Sequence, residues 1–569
     1  MRRMKNRYLT IMEKALSAYT DEHILRYLND VKRVGLTEHG FPRLTANIGI
    51  LMSYGKRLDL LPIFLEMMEF CCKTIPRKKA ANEFSVREIV CCIVELEKSN
   101  VVAKEDIARW KGYMSTIEPE TCYGCIAKSP TDTVKNWALF GCVSEFFRMK
   151  AGLCKNVFKT SEFVELQLEQ QLQWFDENGM YQDAESEFFQ PIVYDLVPRG
   201  LFATLLYAGY RGKHYKKIDD IIKKSALLSL NMQSTTGELA FGGRSNQFLH
   251  NEAWLAAIFE YEAARYKKLG DYVLAGRFKA AADQALKVME TWLFKTPITH
   301  VKNRFPIESK FGCEDYAYFD KYMITVASFS YIASLFCDDS IAPISLEQGP
   351  MVWSTSKYFH KTFARAGEYA LELDTNADTH YDANGLGRVH KKNAPSTICL
   401  SVPFAREPIY GLNGFENKSS FSICPAIKDE NGAWKYGSDP NVSYTLTNSE
   451  EGEENARVVF DCLFENGKKT KFCCSVDKNG VVVQAQGERD EDIGICLPVF
   501  AFDGETYTKI TEKEHGILVE YKGWVCEYQA DNIRYLNADV ANRNGISKCY
   551  IANGTQKVEV KIKIYKVGE

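Results

Sequence analysis

From the start of the chain to about residue 338, apolar side chains return at intervals of three and four positions, the spacing of one face of an α-helix. Leu255, Ile258, Phe259, Ala263 and Tyr266 make one such stripe, with Glu262 inside it. Breaks such as YRGKHY, KLGD and KSPTD separate the segments. Roughly a dozen segments result, which as sequential hairpins predict a ring of about six pairs, an (α/α)6-type helical toroid over residues 1–338. Around residues 339–352, in and beside CDDSIAPISLEQGP, the helical period stops and proline and acidic residues collect, so this stretch reads as a linker. Beyond it the period becomes two, as in Tyr369-Ala370-Leu371-Glu372-Leu373, VVVQAQ and VEVKIKIYKV. The dipeptides Asn431-Gly432, Asn466-Gly467, Asn479-Gly480 and Asn553-Gly554 read as hairpin turns, and the spacing predicts an antiparallel β-sandwich over residues 353–569.

Length agrees with this division, because a chain of 569 residues exceeds the ~250 to 300 at which one hydrophobic core stops growing. Composition narrows the partners. The 71 basic and 74 acidic residues nearly cancel and form no basic stripe of the kind that follows a phosphate backbone, so nucleic acid is not expected. No run of ~20 apolar residues offers a membrane span, and MRRMKNRYLTIMEKALSAY reads as an amphipathic helix rather than a secretory signal; a cytoplasmic enzyme is expected. The 18 cysteines include adjacent pairs such as Cys71-Cys72 and Cys91-Cys92, which suit small buried hydrophobes and not a disulfide framework. Cys122 and Cys125 form a CxxC with no second pair to complete four ligands, so no metal is expected, and no motif calls for a cofactor.

Four stretches of the helical half crowd polar groups at the ends of apolar segments: TVKNWALFG with Asn136 and Trp137, ENGMYQDAESEFFQPIVYDLVPRG with Tyr194, Asp195 and Arg199, GGRSNQFLHNEAW, and GCEDYAYFDKY with Tyr316. Singly, each also fits a solvated helix cap, since Asp and Asn cap helices and Arg pairs with Glu on surfaces. In a ring of hairpins the loops at one end converge, so the four predict one cleft. GGRSNQFLHNEAW is the densest. The Gly pair permits close approach of the backbone to a sugar, Arg244 suits a carboxylate as a planar fork, Asn246 and Asn251 suit hydroxyls or a carboxylate, and Glu252 suits a proton donor. His250 fits either a site residue or a buried imidazole.

A toroid followed by a sandwich, with NQFLHNEAW on a toroid helix and YAYFDKY further on, resembles the heparinase II/III and oligoalginate lyase group, and equally a β-glucuronidase family of glycoside hydrolases of the same architecture. In the lyases an Asn-His pair precedes a Gly, the Asn neutralises the uronate carboxylate, and a Tyr or His removes the C5 proton. Here the order is His250-Asn251-Glu252, with a carboxylate where the Gly stands. The His-rich segment of the lyase sandwich is replaced by GLGRVHKKNAPSTICLS, which leaves His390, with Arg388 beside it, for the equivalent part.

These departures favour hydrolysis, which needs two carboxyl groups flanking the bond. Glu252 is the expected acid, with Glu314, Asp315 or Asp195 as its partner and Arg244 or Arg388 reading the carboxylate of a terminal β-linked glucuronic acid. The alternative is a uronate lyase with Tyr318 or His250 as base and Asn246 or Asn251 neutralising the carboxylate; a non-catalytic glycan-binding protein is a third reading. By analogy with other sandwiches, a homodimer is an option.

Overall fold

The computed structural model describes residues 4–183, 189–345 and 349–568. Residues 184–188 of the second polar stretch and 346–348 of the expected linker therefore lie outside the described residues.

Among the described residues, 14 α-helices run from Met4–Leu16 to Phe319–Phe336. Six are buried over most of their surface: Gly40–Ser53, Val86–Ser99, Trp137–Lys150, Ile192–Tyr207, His250–Lys268 and Phe319–Phe336. A helix that is apolar or small on nearly every side has no face for water and must sit inside other helices. Each of the six packs on the next and the last packs on the first, which closes a ring. Helices between them are one-sided; Asp21–Val34 buries only Ile24, Leu28 and Val31 and turns its charges outward. At one inner contact Gly200 is required, because a Cβ there would lie 2.3 Å from the ring of the fully buried Trp254. That close approach fixes Ile192–Tyr207 against His250–Lys268, and with it Tyr194 against the loop that precedes His250.

From Met351 onward the chain forms strands, and every pairing between them is antiparallel. They build sheets of four, eight and five strands over a continuous core that includes Leu371, Phe460, Val483, Ile495 and Ile562. The helical region followed by antiparallel sheets is the arrangement expected from the two periodicities. One turn differs: Asn553-Gly554 lies inside the strand Gly545–Thr555, paired with Ile493 and Gly494, and the reversal comes at Gln556, whose φ is +64°.

A buried polar seam joins the two regions. Arg388 pairs with Glu372 (3.1 Å) and donates to the Leu239 carbonyl (2.8 Å), while Asn303 and Asn544 bridge the loop after the helix Tyr272–Leu293 to the sheets. Buried polar groups tied to each other across a seam favour one geometry, so these bonds help set how the sheets meet the ring.

Candidate active site

All six inner helices begin at the same end of the ring, and the residues at their starts touch one another. Trp137 stands edge-on to Phe84 (4.9 Å between centroids) and Phe84 lies 4.8 Å from His39. His250 packs on Tyr322 (5.4 Å), and Tyr322 on Tyr316 (6.1 Å). Tyr316 OH meets Ser245 Oγ at 2.5 Å, and Ser245 Oγ meets Tyr194 OH at 3.2 Å. The Arg244 guanidinium lies 4.4 Å over the Tyr194 ring and donates to Asp183 (2.9 Å), whose other oxygen accepts from Asn136 (2.6 Å) beside Trp137. The mouth is thus bounded by the first turns of the helices, whose macrodipoles favour anions. All four polar stretches contribute to it.

The loop Gly242–Leu249 is held from below. Glu314 accepts from the Ser245 N–H and from Gln247 Nε2, both at 2.7 Å, and Asp382 accepts from the Gly243 N–H (2.6 Å). Asn246 donates to the Ala240 carbonyl (2.9 Å) and Asn251 to the Ser245 carbonyl (2.9 Å). These bonds stabilise Ser245 at φ +64°, a left-handed conformation that a residue other than Gly adopts at some cost, and so aim its hydroxyl between two phenols.

The exposed groups are few. Arg244 keeps 40% of its side chain in solvent, and Trp137, Tyr316 and Tyr318 are 45%, 37% and 41% exposed. Burial, then Tyr194 and Glu314, pushes the Tyr316 phenol well above its ordinary pKa. Burial raises Tyr194 too, but the Arg244 charge and the Ser245 bond pull it back. Burial leaves His250 and His39 neutral, each with an Nδ1 that has no partner among the described residues.

Several expected site residues prove structural. Glu252 is fully buried; Lys302 donates to it at 2.7 Å, burial raises its pKa, and it faces the seam with the sheets instead of the mouth. Glu314 is buried with both oxygens accepting, so it positions the loop and has no open face for a sugar. Asp195 and Arg199 form a buried pair (2.6 Å) one turn apart on a helix. Burial lifts Asp195 to about 6 against the pull of Arg199. Asn246 and Asn251 are buried and spend their amides on the loop backbone. Arg388 and His390 do not reach the mouth: Arg388 belongs to the seam, and His390, lowered to about 3 by burial and then by Arg388, lies between Ser234 (2.6 Å) and Ser401 (3.1 Å). Asp315 and Tyr318 line an adjoining pocket of about 190 Å³ that reaches Glu314 and His300 but not Tyr316 or Arg244. The Gly pair serves packing, since a Cβ on Gly243 (φ +74°) would lie 2.8 Å from Pro191.

Six residues of the mouth were not singled out from sequence: Ser245, Asp183 and Tyr322, already described, and Lys321, His39 and Tyr381. Lys321 has no carboxylate partner among the described residues and faces the rings of Tyr322 (5.5 Å) and Tyr318 (5.7 Å); burial holds its ammonium below the usual value. His39 stands immediately before an inner helix, with no capping bond from its ring. Tyr381, on the sheet side, lies close enough to Glu314, Arg543 and Arg244 to feel their charges and is raised to about 12, chiefly by burial. A search restricted to the first turns of alternate helices would have found His39 and Lys321.

The chain matches no family model and no curated protein sequence. Solved structures do match. A xanthan lyase from Paenibacillus aligns with 92% of this chain and 53% of its own length at a TM-score of 0.50 and 8% identity. The fold resembles that of xanthan lyase. The Streptomyces coelicolor A3 chondroitin AC lyase, solved with chondroitin sulphate, aligns over 99% of this chain and 80% of its own at TM-score 0.49 and 10% identity. Heparan sulfate lyase HepC from Pedobacter heparinus, a mutant, aligns over 92% and 75% at TM-score 0.47 and 10% identity. At such identities the likeness is one of fold.

Proposed function

We propose that this protein is a carbohydrate-active enzyme that cleaves a uronic-acid-containing glycan by β-elimination, with Tyr316 exchanging the protons and Arg244 meeting the uronate carboxylate. One observation carries the reading. The mouth holds two phenols sharing Ser245 Oγ beside a half-exposed guanidinium, whereas Glu252 and Glu314, the leading carboxyls for hydrolysis, are sealed and hydrogen-bonded. Retaining or inverting hydrolysis needs two carboxyl groups at the bond. Elimination needs a cation at the carboxylate, a base at C5 and a proton for the leaving oxygen, roles for which Arg244 and Tyr316 are chemically suited. The fold shared with xanthan lyase supports the same reading.

In this account Arg244 and the inner-helix N-termini neutralise the carboxylate, which acidifies the C5 proton. Tyr316, as phenolate, takes that proton; the C5 electron pair forms the C4–C5 double bond, and the C4–O bond breaks. Tyr316 then returns the proton to the departing oxygen. While Tyr316 is a phenolate, the Ser245 hydroxyl donates to it and the neutral Tyr194 donates to Ser245 in turn. The products are an unsaturated uronate and a shortened chain. Incubation with a panel of uronate glycans is expected to give new ultraviolet absorbance from the conjugated double bond; cleavage of any of them without it contradicts the proposal.

Two further outcomes follow. Since the Tyr316 phenol is raised, its basic form is scarce at neutral pH and grows as pH rises. The logarithm of kcat/KM should therefore climb with a slope of about +1 between roughly pH 7 and 9, where a carboxyl acid would instead give a falling limb. Arg244→Lys keeps the charge but loses the planar fork, and should lower kcat/KM by ~10 to 10²-fold in steady-state assays.

A further inference from the structure

A second groove, of about 730 Å³, runs along the seam between the helix Tyr272–Leu293, the loop 392–397 and the strand Trp524–Gln529. It shares no lining residue with the mouth. Five cations line it, namely Lys287, Lys295, Arg304, Lys392 and Lys522, against two carboxylates. Both carboxylates are engaged: Glu290 binds Arg7 (2.8 Å), and Glu238 is buried under the influence of Lys302 and His390. Lys287 and Lys522 pair with Asp283 and Asp503. Among the described residues, Lys295, Lys392 and Arg304 have no carboxylate partner. Arg304 is itself buried, tethered to the carbonyls of Thr291, Trp292 and Pro297, and its Nε is without a partner. The nearby Lys522 and Arg304 charges, after burial, hold Lys295 below its ordinary pKa.

Asp503 and Glu505 lie near enough to offset part of the charge on Arg304 and Lys295, but neither forms an ion pair with them among the described residues, so a fixed guanidinium flanked by two ammoniums leaves net positive charge in the groove and asks for an anion. The remaining wall is not that of a simple ion site: the half-buried Trp524 offers a ring face, and Thr235, Thr236, Ser396 and Thr397 offer hydroxyls. The volume falls in the range of sites for small organic ligands, far above that of one inorganic ion.

We propose that this groove is a second binding site for an acidic oligosaccharide, whose carboxylate or sulfate groups meet Arg304, Lys295 and Lys392 while a sugar ring lies against Trp524. It would hold a segment of an acidic glycan outside the cleavage mouth. The inference does not depend on the cleavage chemistry, only on the ligand's being an anionic sugar chain.

Calorimetric titration of the full chain with a sulfated uronate-containing tetrasaccharide tests it, in the Tyr316→Phe background to prevent turnover, with neutral cellotetraose as control. Two binding events are expected. Lys295→Glu with Lys392→Glu, both partly exposed, should remove one event or weaken it roughly tenfold or more and leave the other unchanged. Arg244→Ala should do the reverse, so that loss of the mouth's event alone would tell against the proposed cleavage site and not the groove. Binding of the acidic tetrasaccharide that is indifferent to the double charge reversal, or cellotetraose binding equally well to the groove, would overturn the inference.

Discussion

Tyr316→Phe is expected to lower kcat on uronate glycans by ~10² to 10⁴-fold, the range for loss of a proton-transferring group. The change removes one oxygen and leaves the ring, so its packing on Tyr322 survives. The lost bond is to Ser245, whose position is set independently by its N–H to Glu314 and by Asn251 on its carbonyl. The fold should therefore be unaffected, and KM should change little because Arg244 still meets the carboxylate. Initial rates of product absorbance, with circular dichroism as the folding control, measure this. Ser245→Ala should fall between the two, since Tyr316 then loses its link to Tyr194 but keeps its own oxygen. Should Tyr316→Phe turn over normally while Tyr318→Phe or His250→Ala is inactive, the proton passes through another group.

Glu252→Gln should behave in the opposite way, changing stability and sparing turnover. Glu252 is fully buried, and its partner Lys302 has 4% of its side chain exposed. Removing one charge of a buried pair strands the other, at a cost of about 3 kcal/mol or more. Glu238, also near Lys302, softens the loss without replacing the 2.7 Å bond. A lower denaturant midpoint with turnover per folded molecule within about twofold is expected, and Lys302→Met should recover part of the stability in the double variant. If Glu252→Gln abolishes turnover of natural glycosides at unchanged stability, the general-acid role belongs to Glu252 after all.

The contrast between these two residues shows what the pattern of the chain makes legible. Helical and strand periodicities gave the toroid and the sheets, because each follows from which faces are buried. The convergence of four polar stretches also followed, since hairpins in a ring bring alternate loops to one end. Which groups face the substrate did not. Glu252 and Tyr316 both lie in polar clusters, but Glu252 is in the first turn of an inner helix on the side toward the sheets, where Lys302 arrives from a loop 50 residues away. Sequence density of functional groups measures how many polar atoms must be satisfied; here Glu314, Asn246 and Asn251 satisfy the loop itself. His39 escaped notice for the converse reason, as an isolated polar residue beside an apolar helix whose neighbours come from other turns of the ring, and Lys321, although inside GCEDYAYFDKY, because the carboxylates and phenols around it drew the reading.

Cleavage in heavy-oxygen water separates elimination from hydrolysis without reference to any variant. A uronate glycan that the protein cleaves is digested in that solvent, and the products are read by mass and by ultraviolet absorbance at early times. Elimination breaks C4–O and forms a double bond, so neither product takes oxygen from water during cleavage, and absorbance should rise in proportion to bonds broken. Products carrying one solvent oxygen per cleavage, with no unsaturated uronate, would contradict the account and return the reaction to hydrolysis.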